Sequence, residues 1–449
     1  MAGAVLLAVA ALAASPAGAE TLAEALSAAY ANNPTLLAQR AALRATDEEV
    51  PTALGGWRPT VSVSADAGFE DLSSESTQGL GADDTLNPRT LTLSLSQPLF
   101  RGFRTVSGVR RAENLVRADR ARLAEVEQDT LLQAATAYLD VYRDQSVLEL
   151  AINNEQRLRR QLDAAKDRFD VGEVTRTDVA QAESRLSNAI AYRVRAEGDL
   201  TSSRAIYLNV VGRMPGTLAA PDVIGPLPKD EKAAQAQASD ENPSVRRAIF
   251  AARAARFDVR IATGALLPEL TLNGTYTMAE DTSTFITSQD TATLTARLSV
   301  PLYQSGSEYA KVRAARATAS QRRLEVEQSK RAVAQDVTRG WEALQTARAR
   351  IKAFEDSVRA AKIALQGVEE EASVGSRTTL DVLDAEQELF TARVDLVRAQ
   401  RDAVVAAFTL KAAVGALTAG KLGLDVPVYD PTRHYRAVGD KLLGFDGGE

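Results

Sequence analysis

Few side chains in this sequence could carry chemistry, and most of those are carboxylates. There is one histidine, His434, and no cysteine, which excludes disulfides, thiolate metal sites and a lipid-acylated N-terminal cysteine. No Ser/His/Asp set, HExxH spacing or glycine-rich phosphate loop can be assembled. His434 lies in an irregular tail, where it reads as a surface residue rather than a metal ligand or general base. Neither an enzyme nor a bound cofactor is therefore expected. A pair of aspartates remains, Asp381 and Asp384, three residues apart and so on one helical face. Such a pair either compensates the positive start of a helix or presents a carboxylate cluster that attracts cations.

The aspartates belong to a segment that occurs twice. Val171-Gly172-Glu173-Val174-Thr175-Arg176-Thr177-Asp178-Val179-Ala180-Gln181-Ala182-Glu183 reappears as Val374 to Glu386, identical at seven of thirteen positions at a shift of 203 residues. The same shift pairs Pro98-Leu99-Phe100 with Pro301-Leu302-Tyr303, and Val211-Gly212 with Val414-Gly415. Asn33-Pro34 and Pro59 meet Asn242-Pro243 and Pro268 at a shift of 209. Two copies of one long unit thus fill the chain, a duplicated architecture rather than a solenoid of short repeats. The expected layout is a first repeat over 20–215, a linker over 216–231, a second repeat over 232–415 and a tail over 416–449.

Each unit opens with a helix, about Thr21 to Leu54 and about Lys232 to Gly264, where Asn-Pro either begins a new turn or bends the helix. After Pro59 and Pro268 the hydrophobic period becomes two, predicting strands over about 59–71, 87–99, 268–280 and 291–303. These segments are apolar on one face and Ser/Thr-rich on the other, as the wall of a membrane barrel requires, and little else in the chain is apolar enough to cover them. Their connections, about Asp71 to Asn87 and Glu280 to Asp290, read as polar loops. Long helices follow over about 104–170 and 307–373, each roughly 100 Å. Val337, Leu344, Ile351, Val358, Leu365 and Ala372, with Gly340, Ala347, Phe354, Ala361 and Val368, form a coiled-coil seam. A Val-Gly turn and a return helix, about Thr175 to Val211 and Thr378 to Val414, complete each unit. The return helix is too short to run back along its partner, so the opening helix supplies the remaining length, and linker and tail lie where the short helices meet.

Val5 to Ala14 is an apolar run ending in Ala17-Gly18-Ala19, which reads as a signal peptide over 1–19 cleaved before Glu20. The positive segment expected before such a run is missing from Met1-Ala2-Gly3-Ala4, and a start upstream of Met1 is one expectation. Beyond residue 19 the longest apolar stretch is Ala403 to Phe408, far short of the roughly 20 residues a spanning helix needs, so a membrane crossing must use strands. A net charge of -6 and a pI near 5.3 give no basic footprint for nucleic acid.

Across nearly all of its mature length the chain resembles the TolC-like outer membrane efflux protein family. The resemblance rests on the strand pair between short and long helices, the Val-Gly turns, and the helix starts Asp178-Val179 and Asp381-Val382. It implies a mainly α fold with a transmembrane β part, built from a duplicated helix-strand-strand-long helix-helix unit. Three copies would form a 12-strand β-barrel continuous with a 12-helix α-barrel. The implied setting is the outer membrane, in contact with its lipid, as a homotrimer docked by a periplasmic adaptor (membrane fusion) protein and an inner-membrane ABC or RND transporter. The implied cargo is proteins or small toxic compounds. Independently, four strands leave two unpaired edges that lipid cannot satisfy, which calls for more copies.

The resemblance also assigns roles to the hairpin tips. It makes Asp381 and Asp384 acidic rings at the pore constriction, and Arg377 and Asp178 links that hold the tip closed. Val171, Gly172, Val374 and Gly375 become the tip turns and the adaptor contact. One departure stands out: the aromatic expected two residues before the second Val-Gly is Ala372, whereas Phe169 fills that place in the first copy. A thinner closing network is expected. The rival reading is a periplasmic coiled-coil adaptor or structural protein of an export complex. Adaptors usually carry one hairpin between lipoyl-like and barrel segments, so two hairpins, each preceded by amphipathic strands, favour the channel.

Overall fold

A computed structural model describes residues 19–74, 82–283 and 286–446; the signal peptide expected over 1–19 lies almost wholly outside them. The opening region is three helices, α1 (Leu22–Asn32), α2 (Pro34–Asp47) and α3 (Glu49–Leu54), then a 3-10 turn at Gly55–Trp57. Next come β1 (Thr60–Ala67), β2 (Glu70–Ser74), β3 (Ala82–Leu86) and β4 (Arg89–Arg101). The first long helix is α4 (Arg104–Asp170) and its return is α5 (Arg176–Val211). The second copy comprises α6 (Glu231–Glu241), α7 (Pro243–Gly264), β5 (Glu269–Ser283), β6 (Ile286–Ser299), α8 (Ser307–Ser373) and α9 (Thr379–Ala413). Two short helices, α10 (Ala419–Leu422) and α11 (Arg433–Val438), follow.

Asn-Pro starts a new helix in both copies. Proline at the first helical position lacks only an N–H that has no intrahelical partner there. Asn33 accepts from the Thr35 N–H at 2.9 Å and donates through Nδ2 to the Val210 carbonyl at 2.9 Å. Asn242 repeats the second bond, to the Ala413 carbonyl at 2.8 Å. One buried amide thus ties the start of each repeat to the end of its own return helix.

The chain packs as two compact units. The first comprises residues up to Gln39, Leu123–Pro243 and Arg331–Tyr429, and is helical. Leu158, Leu162 and Ala165 of α4 pack with Ala182 and Ala189 of α5 and Leu383 of α9. Further along, Val147 and Ala151 meet Ala196, Phe390 and Val394, with Tyr192 edge-on to Phe390 at 5.1 Å. On its other side α9 meets Ala361 and Leu365 of α8 through Leu389. Helix α9 therefore joins the two copies. Seam positions Val337, Leu344, Ala347, Ala361 and Leu365 are buried, and Gly340 lets α9 approach so closely that a Cβ there would meet the Leu410 Cα at 3.4 Å.

The second unit comprises Arg40–Arg122, Ser244–Lys330 and Asp430–Glu449 and holds the strands. An antiparallel sheet runs β1-β4-β5-β6, and β2 pairs with β3 separately. The central ladder, β4 with β5, joins the two copies, leaving β1 and β6 as edges. Register puts most apolar positions on one face: Val63 stands opposite Leu93, Leu93 opposite Tyr276, and Tyr276 opposite Ala292. Thr and Ser fill the other face, where Ser96 donates to Asn273 Oδ1 at 2.8 Å. The apolar face is open, with Val63 65% and Leu294 72% exposed.

Several boundaries differ from the sequence reading. Gly68-Phe69 and Asn87-Pro88 interrupt the first-copy strands, because Pro88 has no N–H for a ladder. Segments read as polar loops are partly strand: β2 and β3 pair from Glu70↔Leu86 to Ser74↔Ala82, and β5 runs to Ser283. Ladder pairing satisfies backbone groups whatever the side chains, so strands outlast the apolar pattern. Conversely, β6 stops at Ser299, just before Pro301, whereas Pro98 stays within β4 at a register shift. His434 is not a surface residue: it is 8% exposed, with Nδ1 3.3 Å from Asp47 Oδ2 and Nε2 3.7 Å from Glu48. Helix α11 buries it together with Val438, while Tyr435 packs on Val50, Ala112 and Val116.

The passage from strand to long helix uses two consecutive left-handed residues in each copy, Gly102-Phe103 and Ser305-Gly306. At Gly102 the backbone of α7 presses in, since a Cβ would stand 2.2 Å from the Gly264 carbonyl oxygen. Glu269 holds the corner through Arg101 at 3.0 Å and Arg104 at 2.8 Å.

Candidate functional site

The two Val-Gly turns have nearly the same geometry. Gly172 and Gly375 adopt φ of 81° and 77°, a left-handed conformation that costs a side-chain-bearing residue about 1–2 kcal/mol. The Glu173 N–H donates to the Arg168 carbonyl at 2.8 Å and the Ser376 N–H to the Glu371 carbonyl at 3.0 Å, the bond that closes a helix end in a Schellman turn. Each return helix then starts with a capping box: Thr175 with Asp178, and Thr378 with Asp381. The apolar residue of each turn stays in solvent, with Val374 79% exposed.

The charges divide differently from the expectation. Asp178 accepts from the Thr175 hydroxyl at 2.7 Å and backbone N–H at 2.9 Å, and these bonds hold its carboxyl below the usual carboxylate range. Asp381 does the same with Thr378, at 2.9 Å from the backbone N–H and 2.8 Å from the hydroxyl, and is likewise held low, by the backbone bond first. Arg377 donates to Glu371 at 2.8 Å, within its own hairpin, so within one chain it is engaged with Glu371 and not with Asp178. Near the tip, the two copies are instead linked by Arg185 of α5 and Asp384 of α9. Asp381 and Asp384 therefore share a face but not a task, one capping its helix and the other held by a guanidinium.

Three residues at this site escaped the sequence reading: Arg185, Glu371 and Glu386. Arg185 lies seven residues past Asp178, two turns along the same face, which was the available signal. Glu386 ends the repeated motif and matches Glu183. Burial separates the pair, Glu386 being enclosed and Glu183 exposed, and that difference is invisible in the motif. Ala372 is half-buried and Phe169 exposed in the corresponding places.

A family model described as Outer membrane efflux protein matches residues 25–211 and 235–416, one stretch in each repeat. The chain belongs to the outer membrane efflux protein family. Its relatives include the outer membrane efflux protein BepC of Brucella suis, 38% identical over 446 residues, covering 99% of this chain and 96% of that one. The outer membrane protein TolC of Vibrio cholerae is 29% identical and covers 89% of this chain and 92% of its own. The crystal structure of the Campylobacter jejuni CmeC outer membrane channel superposes with a TM-score of 0.81 at 14% identity, over 94% of this chain and 89% of that one, which shows the shared fold. As a family member the chain is an outer membrane protein, and its work is that of an efflux channel.

Proposed function

We propose that three copies of this chain join their four-stranded sheets into a 12-stranded barrel in the outer membrane, continued by a 12-helix tunnel in the periplasm. The carrying observation is the sheet itself, apolar and open on one face, Ser/Thr-lined on the other, with edges at β1 and β6. Four strands cannot close, because the smallest membrane barrels have about eight, and an open edge in hydrocarbon leaves backbone groups unsatisfied. Edge-to-edge association of identical copies answers both demands. In this reading the Val-Gly turns point into the periplasm, and Val171, Gly172, Val374 and Gly375 meet an adaptor protein coupled to an inner-membrane ABC or RND transporter.

Asp381 and Asp384 from three copies then ring the constriction. Arg377 and Asp178 bias the tip toward closure across the protomer boundary, in competition with the bonds each makes within its own chain. The cargo is proteins or small toxic compounds. The name of the Brucella suis relative, an efflux protein, supports the second class. Native mass spectrometry of the detergent-extracted protein should give a trimer, and reconstitution in planar bilayers should give ion conductance. A stable monomer, or a trimer that conducts no ions, would overturn the reading. Deleting the gene and scoring both toxin sensitivity and the secreted proteins would separate the two cargo classes.

A further inference from the structure

Helix α9 carries a carboxylate that neither caps a helix nor pairs across the tip. Glu386 is 2% exposed, and its Oε2 has no hydrogen-bond partner among the described residues. It lies three residues after Leu383, which packs with α4 and α5, and three before Leu389, which packs with α8. The carboxyl thus sits where α9 is gripped from both sides.

The charged groups around it come from each neighbouring helix. Arg157 and Arg160 of α4 favour its ionised form, and Glu369 of α8 opposes it. Along α9 the next cation is Arg393, which Arg157 repels, and Arg185 of α5 is taken up by Asp384. The Arg157 Nε also lacks a hydrogen-bond partner among the described residues, so that nitrogen does not satisfy Oε2. Burial is the largest influence and pushes the Glu386 carboxyl above the usual glutamate range. A buried carboxylate oxygen without a donor makes the ionised form costlier than the protonated one. The first copy supplies an internal contrast: the matching Glu183 is exposed and stands 3.7 Å from Lys166.

We propose that Glu386 is a proton-operated latch on α9. Protonated, it lets α9 lie between α4 and α8 as it does here; ionised, it loosens that packing and frees the second-copy tip to move. The packed arrangement binds the proton more tightly than the loosened one. The latch is therefore fully engaged below the ordinary glutamate pKa and weakens as pH climbs from there through the raised value. Its coupling to a gate rests on the channel reading above, whereas the latch itself does not.

Hydrogen exchange of residues 379–390 in the purified full-length protein, corrected for the intrinsic pH effect, tests the latch. Wild-type protection should fall by up to about tenfold per pH unit within the window. Glu386→Gln keeps the shape without the charge and should hold protection constant, as should Glu386→Met, while Glu183→Gln should follow wild type. Protection that is independent of pH in wild type, or that keeps its pH profile in both Glu386 variants, would overturn the proposal. Bilayer conductance over the same range tests the coupling. A rise with pH in wild type that is absent in Glu386→Gln supports it, and a flat conductance beside a pH-dependent latch overturns the coupling alone.

Discussion

Asp178 and Asp381 occupy matched positions and do matched work, each returning a hydrogen bond to the threonine that begins its helix. Both carboxyls are held low, so the stability they lend is present above the ordinary aspartate range and lost as pH falls below it. Glu386 has the opposite sign, which separates the two effects in any pH titration of the tip. Asp384 is half-exposed at 54% despite its bond to Arg185. A pair so open contributes little to stability, about 0.2–1 kcal/mol, and leaves the carboxylate accessible to solvent. Asp381→Asn combined with Asp384→Asn should therefore lower the cation preference of the reconstituted channel, read as a shift in reversal potential under a salt gradient. An unchanged reversal potential would confine both residues to capping and pairing. Sequence spacing placed the two aspartates on one face, but a cap and an ion pair differ in what lies across from each. That depends on the neighbouring helix, and no local pattern encodes it.

At the level of elements, the duplicated turns were readable because glycine, proline and capping residues act over a few positions. The two-residue period likewise identified the strands. What it missed were their ends, since ladders such as β2 with β3 continue through polar residues wherever backbone groups can pair. His434 was misplaced for a similar reason: its cover comes from α11 folding onto residues far away in sequence. Two glycines show how local and tertiary demands differ. Gly172 has a left-handed φ and nothing within 4 Å of a built Cβ, whereas at Gly264 a Cβ would stand 2.3 Å from the Gly102 carbonyl oxygen. Gly172→Ala should cost about 1–2 kcal/mol, confined to the turn and seen as faster local exchange. Gly264→Ala must push backbones apart and should cost at least about 1–3 kcal/mol, with a lower thermal midpoint. Equal midpoints for the two variants would contradict the close approach between strand corner and α7.

For the whole molecule, the decisive property is a sheet whose apolar face has no cover among the described residues of the second unit. Leu93 sits inside that face with partners Val63 and Tyr276, and Thr92 lies on the other. Leu93→Lys should cost about 2–4 kcal/mol if the residue reaches mid-bilayer and should reduce the amount recovered in the outer membrane, while Thr92→Lys should insert normally. Equal recovery would argue that the face meets protein and not lipid.

The ladder between β4 and β5 has a consequence for symmetry. A half-length chain with one strand pair and one hairpin would need six identical subunits to build a wall of the same size, and every tip would be alike. In the trimer proposed above, fusing two halves into one chain would reduce sixfold symmetry to threefold, and alternate hairpins would become free to drift apart. Phe169 against Ala372, and exposed Glu183 against buried Glu386, are differences that a sixfold ring of identical hairpins would forbid. A ring of unlike neighbours can give motion to one set of hairpins and leave the other as a fixed frame.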